Sequence, residues 1–246
     1  MAHTLVVIPA RMQSTRLPGK PLADINGEPM IAHVWRRAIE ADVGRVLVAS
    51  DSEEINAVIR ARGGEAVLTR SDHPSGSDRV FEAVKKVDRG DVEVILNLQG
   101  DLPTLAPDTA RACLEPVQQA GPDIATIVVE IRLEEERANP NVVKMVGTPT
   151  AAPGRLRALY FTRATAPAGE GPLYHHIGIY AYRRDFLLKL ATLSPTPLEQ
   201  IEKLEQLRVL EHGHSISAAL VARAAIGIDT QDDYTAFAGR FARKQK

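Results

Sequence analysis

Residues 4–22 read TLVVIPARMQSTRLPGKPL, and the fold class follows from how this stretch changes character midway. Leu5-Val6-Val7-Ile8 is a continuous apolar, largely β-branched run bounded by Pro9. Such a run predicts a strand buried on both faces, as in a parallel sheet. Immediately after it, Arg11, Arg16 and Lys20 fall among Ser14, Thr15 and Gly19. A buried strand that delivers a basic, glycine-containing loop at its carboxyl end is where open α/β sheets take anionic ligands. Arginine offers forked hydrogen bonds and lysine a mobile point charge, which suits a polyphosphate. The loop is not a Walker motif, because Pro21 follows Gly19-Lys20 and the required second glycine is missing. A solvated basic turn is the competing reading of the same residues.

Working outward, Asp24–Gly27 reads as a turn, residues 29–40 as a helix, Arg45–Ala49 as a strand, and Ser50-Asp51 as the cap of a helix ending near Gly63-Gly64. A short strand over 65–69, a polar loop over Arg70–Arg79, a helix from Val80 to about Val87 and a strong strand over Val92–Leu98 continue the alternation. The pattern predicts a Rossmann-like α/β fold with a doubly wound, mostly parallel sheet. A helix over 107–119 and a strand over 123–131 follow. From 134 to 182 the rhythm breaks into short strands around 142–146, 156–162 and 176–182, read as an antiparallel insertion at the sheet edge. Helices over 186–193 and 197–212, a strand over 217–221 and a closing helix from Gln231 complete the chain. No linker is evident, so residues 1–246 are expected to form one domain carrying that insertion.

Composition narrows the function. The chain has 246 residues, 44% of them hydrophobic, enough for a sizeable core. Its formal net charge of −1 gives no reason to expect nucleic acid or an anionic membrane as partner. The positive charge is local, which favours a small anionic ligand. Cys113 is the single cysteine, so neither a disulfide framework nor a cysteine zinc site can form within the chain, and packing is its expected role. No leader-like pattern opens the sequence, and no apolar run approaches the ~20 residues of a membrane span. A reducing cytoplasm is the expected setting.

Four further groups of residues carry chemistry. Gln99-Gly100-Asp101 follows a buried strand, where a carboxylate facing a basic loop suits Mg²⁺ held jointly with phosphate oxygens. An aspartate before Leu-Pro is equally at home in a turn. Asp229 in GIDT is a second carboxylate for the same ion, or else part of a helix N-terminus. The Arg70–Arg79 loop, with Ser75 and Gly76, offers amides and hydroxyls that can read a base edge, or it is a plain surface loop. Arg163, His176, Tyr180, Glu205 and Gln206 are residue types that suit an acidic sugar: a cation for its carboxylate and neutral groups for its hydroxyls. Their spacing does not group them, and a histidine in a strand is commonly structural.

PARMQSTRLPGKPL, DHPSGSDR, NLQGD, NPNVVK, ALYFTRA, HHIGIYAYRR, SPTPLEQIEKLEQLRVL and GIDT, in this order, cover nearly the whole chain. Together they resemble the sugar nucleotidyltransferases, and among them the cytidylyltransferases that activate 3-deoxy-manno-octulosonate (Kdo). The first loop alone also admits relatives that act on sialic acids; PLEQIEKLEQLR and HIGIY point to the Kdo branch. The resemblance implies that CTP and Kdo give CMP-Kdo and pyrophosphate with Mg²⁺, for lipopolysaccharide synthesis, in a homodimer. It implies that Arg11, Lys20 and Asp101 are catalytic and that Asp101 and Asp229 hold the metal. Ala10, Arg11, Arg16, Lys20, Arg70, Ser75, Gly76 and Gln99 would bind the nucleotide, and Arg163, His176, Tyr180, Glu205 and Gln206 the sugar. The family usually has Glu-Pro after QGD where this chain has Leu102-Pro103, and the stretch between Thr165 and Tyr174 is shorter than usual. Two alternatives stand beside this reading: activation of another α-keto sugar acid (a sialic acid or an 8-amino Kdo analogue), and a non-catalytic nucleotide-sugar sensor.

Overall fold

The computed structural model describes residues 3–13, 17–118, 121–223, 227–228 and 230–243. In chain order its elements are β1 (Thr4–Ala10), β2 (Asp24–Ile25), β3 (Glu28–Pro29), α1 (Met30–Ala41), β4 (Arg45–Ser50), α2 (Glu53–Arg60), β5 (Glu65–Leu68), α3 (Gly76–Val87), β6 (Val94–Asn97) and α4 (Pro107–Gln118). There follow β7 (Ile124–Glu130), α5 (Glu134–Ala138), β8 (Lys144–Pro149), β9 (Arg155–Thr162), β10 (Tyr174–Arg183), α6 (Arg184–Leu190), α7 (Pro197–Glu202), α8 (Gln206–Glu211), β11 (Ile216–Leu220) and α9 (Gln231–Arg243). The fold is mixed α/β, in two compact units: His3–Ala110 with Ala225–Lys246, and Arg111–Ala224.

In the first unit, β1 is buried along its whole length, as its apolar run predicts. It pairs in parallel with β4 on one side and β6 on the other, and β5 adds to β4, also in parallel. The basic loop leaves β1 and is anchored at its far limb by Leu17, which packs with Ile25, Met30, Ile228 and Phe237. A single 3₁₀ turn, Lys20–Leu22, follows Gly19, whose φ of +67° is left-handed. The turn read at Asp24–Gly27 is the tip of a small β2–β3 hairpin, with Asn26 and Gly27 both at positive φ.

In the second unit, β7 and β11 are parallel, whereas β10 on β7, β9 on β11 and β8 on β9 are antiparallel. The start of β10 also pairs with β8, so the five strands return on themselves. Residues 134–182 supply three of these strands. β8 runs on through Thr148 and Pro149, beyond the strand read around 142–146.

Two helix assignments change. The long helix read over 197–212 is two short ones. Lys203 takes a left-handed conformation (φ 58°), its N–H and that of Leu204 both return to the Glu199 carbonyl, and Leu204 is drawn into the core. Similarly, α3 begins at Gly76, so Ser77–Arg79 are helical rather than part of the preceding loop.

Candidate active site

The carboxyl ends of β1 and β6 and the start of α3 surround a cleft of ≈ 240 Å³ within the first unit. Of the residues proposed from sequence, it is lined by Ala10, Arg11, Lys20, Ser75, Gly76, Gln99 and Asp101. Gly100 is required sterically: a Cβ there would sit 2.8 Å from the Pro9 carbonyl oxygen. The end of β1 and the segment that follows β6 therefore approach main chain to main chain beneath the cleft.

Lys20 Nζ donates to Asp101 Oδ2 at 2.8 Å, joining residues 81 positions apart. The lysine side chain is 13% exposed and the aspartate 29%. The pair is part-buried but opens onto the cleft, so an incoming polyphosphate can compete for the lysine. Ser75 is the N-cap of α3. Its Oγ accepts from the Asp78 amide at 3.1 Å and donates to Asp78 Oδ2 at 2.7 Å. That occupies the hydroxyl locally and aims the positive end of the α3 dipole at the cleft, a natural anion site.

Sequence reasoning missed the cleft's buried cation. Arg79, 3% exposed, also lines it. Its Nη1 donates to Thr69 Oγ1 (2.5 Å) and the Arg70 carbonyl (3.0 Å), and its Nη2 to Asp51 Oδ2 (3.3 Å). Burial lowers its pKa, an effect opposed by Asp51 and reinforced by Arg11. Asp51, read as part of a helix cap, instead accepts from Arg79 and from the Met12 amide of the basic loop (3.1 Å), while Ser52 is the residue before α2. The i, i+4 relation of Arg79 to Ala83 was the signal available, since it places the arginine on the buried face of α3. Arg70 turns outward, its guanidinium forked onto Asp72 (Nε 2.8 Å, Nη2 2.5 Å), and only its backbone reaches the Arg79 network. His73, another lining residue, hydrogen-bonds Glu82. Burial raises the Glu82 pKa, but hydrogen bonds from Lys86, the Arg70 amide and His73 outweigh it and leave the carboxyl at about 2.

Arg16 and Asp229 lie outside the described residues. Ile228, next to position 229, donates its N–H to the Asp101 carbonyl at 3.1 Å. Among the described residues no three His, Cys, Asp or Glu side chains form a metal-binding group. Asp101, a hard oxygen donor beside a cationic cleft, suits Mg²⁺, which takes one or two carboxylates and completes its shell with phosphate oxygens and water. Leu102, where the family usually has glutamate, is buried with 6% exposure.

The residues proposed for the sugar lie in the second unit. His176 and Tyr180 are neighbours on β10, with ring centroids 5.4 Å apart, and Glu205 acts electrostatically on Tyr180. Gln206 is buried, and its Nε2 has no partner among the described residues, leaving an amide donor for a ligand hydroxyl or carboxylate. Arg163 stands at the end of β9, tied to α7 and the 139–141 turn rather than to His176. His176 Nε2 lies 3.0 Å from Thr126 Oγ1, which also lies 2.8 Å from the Ile179 carbonyl. With the single hydroxyl proton given to Ile179, the Nε2–H tautomer satisfies the pair and leaves Nδ1 as an acceptor.

Burial, reinforced by His175, pushes the His176 pKa down to about 3. The unfolded chain therefore binds a proton below about pH 6.5 that the folded chain refuses, and stability falls as pH drops from there towards 3. The expected slope is one proton, ~1.4 kcal/mol per pH unit. Urea unfolding of wild type and His176→Phe between pH 7 and 4.5 checks this; equal slopes in the two proteins would refute it. Cys113 is fully buried, and desolvation drives its thiol pKa far up, consistent with packing.

Among the described residues no helix is long and apolar enough to cross a membrane. The sequence model of the cytidylyltransferase family matches residues 5–216. The chain is 60% identical over 231 residues to the 3-deoxy-manno-octulosonate cytidylyltransferase of Brucella ovis, covering 94% of this chain and 92% of that one. The same enzyme of Brucella anthropi is also 60% identical, with 94% and 93% covered. A solved structure of CMP:2-keto-3-deoxy-manno-octonic acid synthetase complexed with CTP superposes with a TM-score of 0.91 at 38% identity, covering 99% of this chain and all of that one. The 4-diphosphocytidyl-2C-methyl-D-erythritol synthase of Anaerococcus prevotii, at 11% identity and a TM-score of 0.65, shares the fold alone. From the match over 5–216 and relatives near 60% identity, the chain belongs to the cytidylyltransferase family.

Proposed function

We propose that this chain transfers CMP from CTP to Kdo, giving CMP-Kdo and pyrophosphate for lipopolysaccharide synthesis. The observation that carries the reading is the cationic cleft of Arg11, Lys20 and Arg79 at the start of α3, in a chain 60% identical to enzymes bearing that name. The anomeric hydroxyl of the sugar acid forms a bond to the α-phosphorus. The bond from the α-phosphorus to the bridging oxygen breaks, pyrophosphate leaves with that electron pair, and the hydroxyl proton passes to solvent water. Such a reaction asks chiefly for positioning and for neutralisation of developing charge.

Arg11 and Arg79 hold the triphosphate, and Lys20 moves from Asp101 onto the departing oxygens. Gln99 contacts the nucleotide, and the Ser75-Gly76 backbone reads cytosine. Asp101, with Asp229, holds Mg²⁺, which when bound polarises the phosphate and acidifies the attacking hydroxyl. Arg163, His176, Tyr180, Glu205 and Gln206 take the sugar acid. No covalent intermediate is needed, consistent with the inert Cys113. We also read the parallel strands of the first unit as part of a doubly wound sheet, and the protein as a cytoplasmic homodimer.

Pyrophosphate release from CTP, with and without Kdo, in Mg²⁺ and in EDTA, tests the reading. Release is expected only with both Kdo and metal. CTP binding without release would send the assignment to a sialic acid or an 8-amino Kdo analogue, and failure with all of these would favour a sensor.

A further inference from the structure

The end of β9, the end of α7 and the turn before β8 meet around a side chain with no part in the reaction above, Glu202. Its Oε1 accepts from Thr162 Oγ1 (2.7 Å) and the Tyr160 hydroxyl (3.4 Å), and its Oε2 from the Arg163 amide (3.0 Å). Burial raises its pKa, but these hydrogen bonds, with the nearby charge of Arg163, hold it below the usual value, so it is an ionised acceptor on both oxygens at neutral pH. The guanidinium of Arg163 is not bonded to this carboxylate. Its Nε donates to the Glu202 carbonyl (3.0 Å) and its Nη1 to the Pro140 carbonyl (3.0 Å). The Arg163 carbonyl in turn accepts from Lys144 Nζ (3.3 Å), a fully buried lysine that also donates to the Asn139 carbonyl (2.6 Å).

Two neutral carbonyls thus fix the plane of the guanidinium, one at Nε and one at Nη1. Glu202 feels the charge of Arg163 but makes no hydrogen bond to the guanidinium, so Nη2, which has no partner among the described residues, is left for an incoming anion. Had Glu202 bound the guanidinium itself, that charge would be largely cancelled. We infer that Glu202 is the positioning residue for Arg163, fixing it to receive the carboxylate of the sugar acid; this rests on the reading of Arg163 as the cation for that group. Deleting the Glu202 side chain leaves the Arg163 amide without its acceptor and frees the end of α7, whose carbonyl is one of the two anchors. Glutamine keeps an oxygen for that amide and turns its NH₂ toward Thr162 and Tyr160, whose hydroxyls can accept.

Steady-state pyrophosphate release, with each substrate varied in turn, separates the outcomes for Arg163→Ala, Glu202→Ala, Glu202→Gln and Glu202→Asp. Removing the charged contact, Arg163→Ala raises the KM for the sugar acid about 100-fold. Glu202→Ala raises it about tenfold and leaves the KM for CTP unchanged, whereas Glu202→Gln stays within about threefold of wild type. If Glu202→Ala does not fold, Glu202→Asp carries the test: it keeps the charge but withdraws the oxygens by one methylene, and is expected to raise the sugar KM more than Glu202→Gln. The inference alone is overturned if Arg163→Ala impairs sugar binding but the Glu202 variants do not, if Glu202→Ala moves both KM values together, or if Glu202→Asp binds the sugar better than Glu202→Gln. An unchanged sugar KM in Arg163→Ala overturns the reading of Arg163, and the inference with it.

Discussion

Asp101→Ala should bind CTP almost as the wild type does and turn over about 10³-fold more slowly, a loss of about 4 kcal/mol of transition-state stabilisation. On the proposed mechanism Asp101 has two jobs, and only one of them bears on CTP binding. It pairs with Lys20, and it is the described carboxylate best placed to hold a divalent ion. Without it, Lys20 loses a partner but can still meet the triphosphate, alongside Arg11 and Arg79. The positive field that attracts the nucleotide is therefore kept or even strengthened. What is lost is the stabilisation of charge that develops on the phosphate oxygens only as the bond breaks. Calorimetric CTP titration and single-turnover pyrophosphate release distinguish the two effects. Normal turnover would remove Asp101 from the metal site; a parallel collapse of CTP binding would mean that its partnership with Lys20 organises the ground state.

Arg79→Met is expected to be costly in a different way. It leaves Asp51, whose side chain is 6% exposed, without its buried guanidinium partner. Breaking a buried pair from one side typically destabilises by about 3–5 kcal/mol, which for a chain of this size is a fall in Tm on the order of 10 °C. CTP affinity should fall at least about tenfold as well, because a charge held in a dry wall acts on a ligand with little screening. The double variant Arg79→Met/Asp51→Asn separates the effects. The carboxamide that Asp51→Asn introduces retains an oxygen for the Met12 amide and carries no buried charge, so thermal stability should recover while CTP affinity stays low. Recovery of both would make Arg79 purely architectural.

How far the sequence could be read depended on the range of the interactions. β1, β6 and the loops after them were legible because an apolar run and a change to charged, glycine-bearing sequence are local signals. The hinge inside 197–212 was not: its amphipathic period continues through Lys203, and the break is set by Leu204 being pulled into the core. The pairing of Lys20 with Asp101 spans 81 residues and has no sequence signature. Arg79 was hidden for a related reason. A helical arginine is ordinarily solvated, and only the long-range placement of Asp51 and Thr69 makes its burial tolerable. The sugar residues were collected by likeness alone. The structure brings His176, Tyr180 and Glu205 into one neighbourhood, and it holds Arg163 by a separate set of contacts.

The close approach of Gly100 to the Pro9 carbonyl bears on how the cleft adapts. Where two segments touch through main chain alone, there is no rotamer to freeze and no side chain to swing aside when a ligand arrives. Gly100 itself therefore adds no rotamer entropy to the cost of binding. Adjustment falls to the walls, to Lys20 and Arg11, whose long side chains have the rotamer freedom that the floor lacks. Saturation of position 100 should therefore return glycine alone among the variants that keep wild-type thermal stability and CTP affinity, since every Cβ there meets the Pro9 carbonyl oxygen.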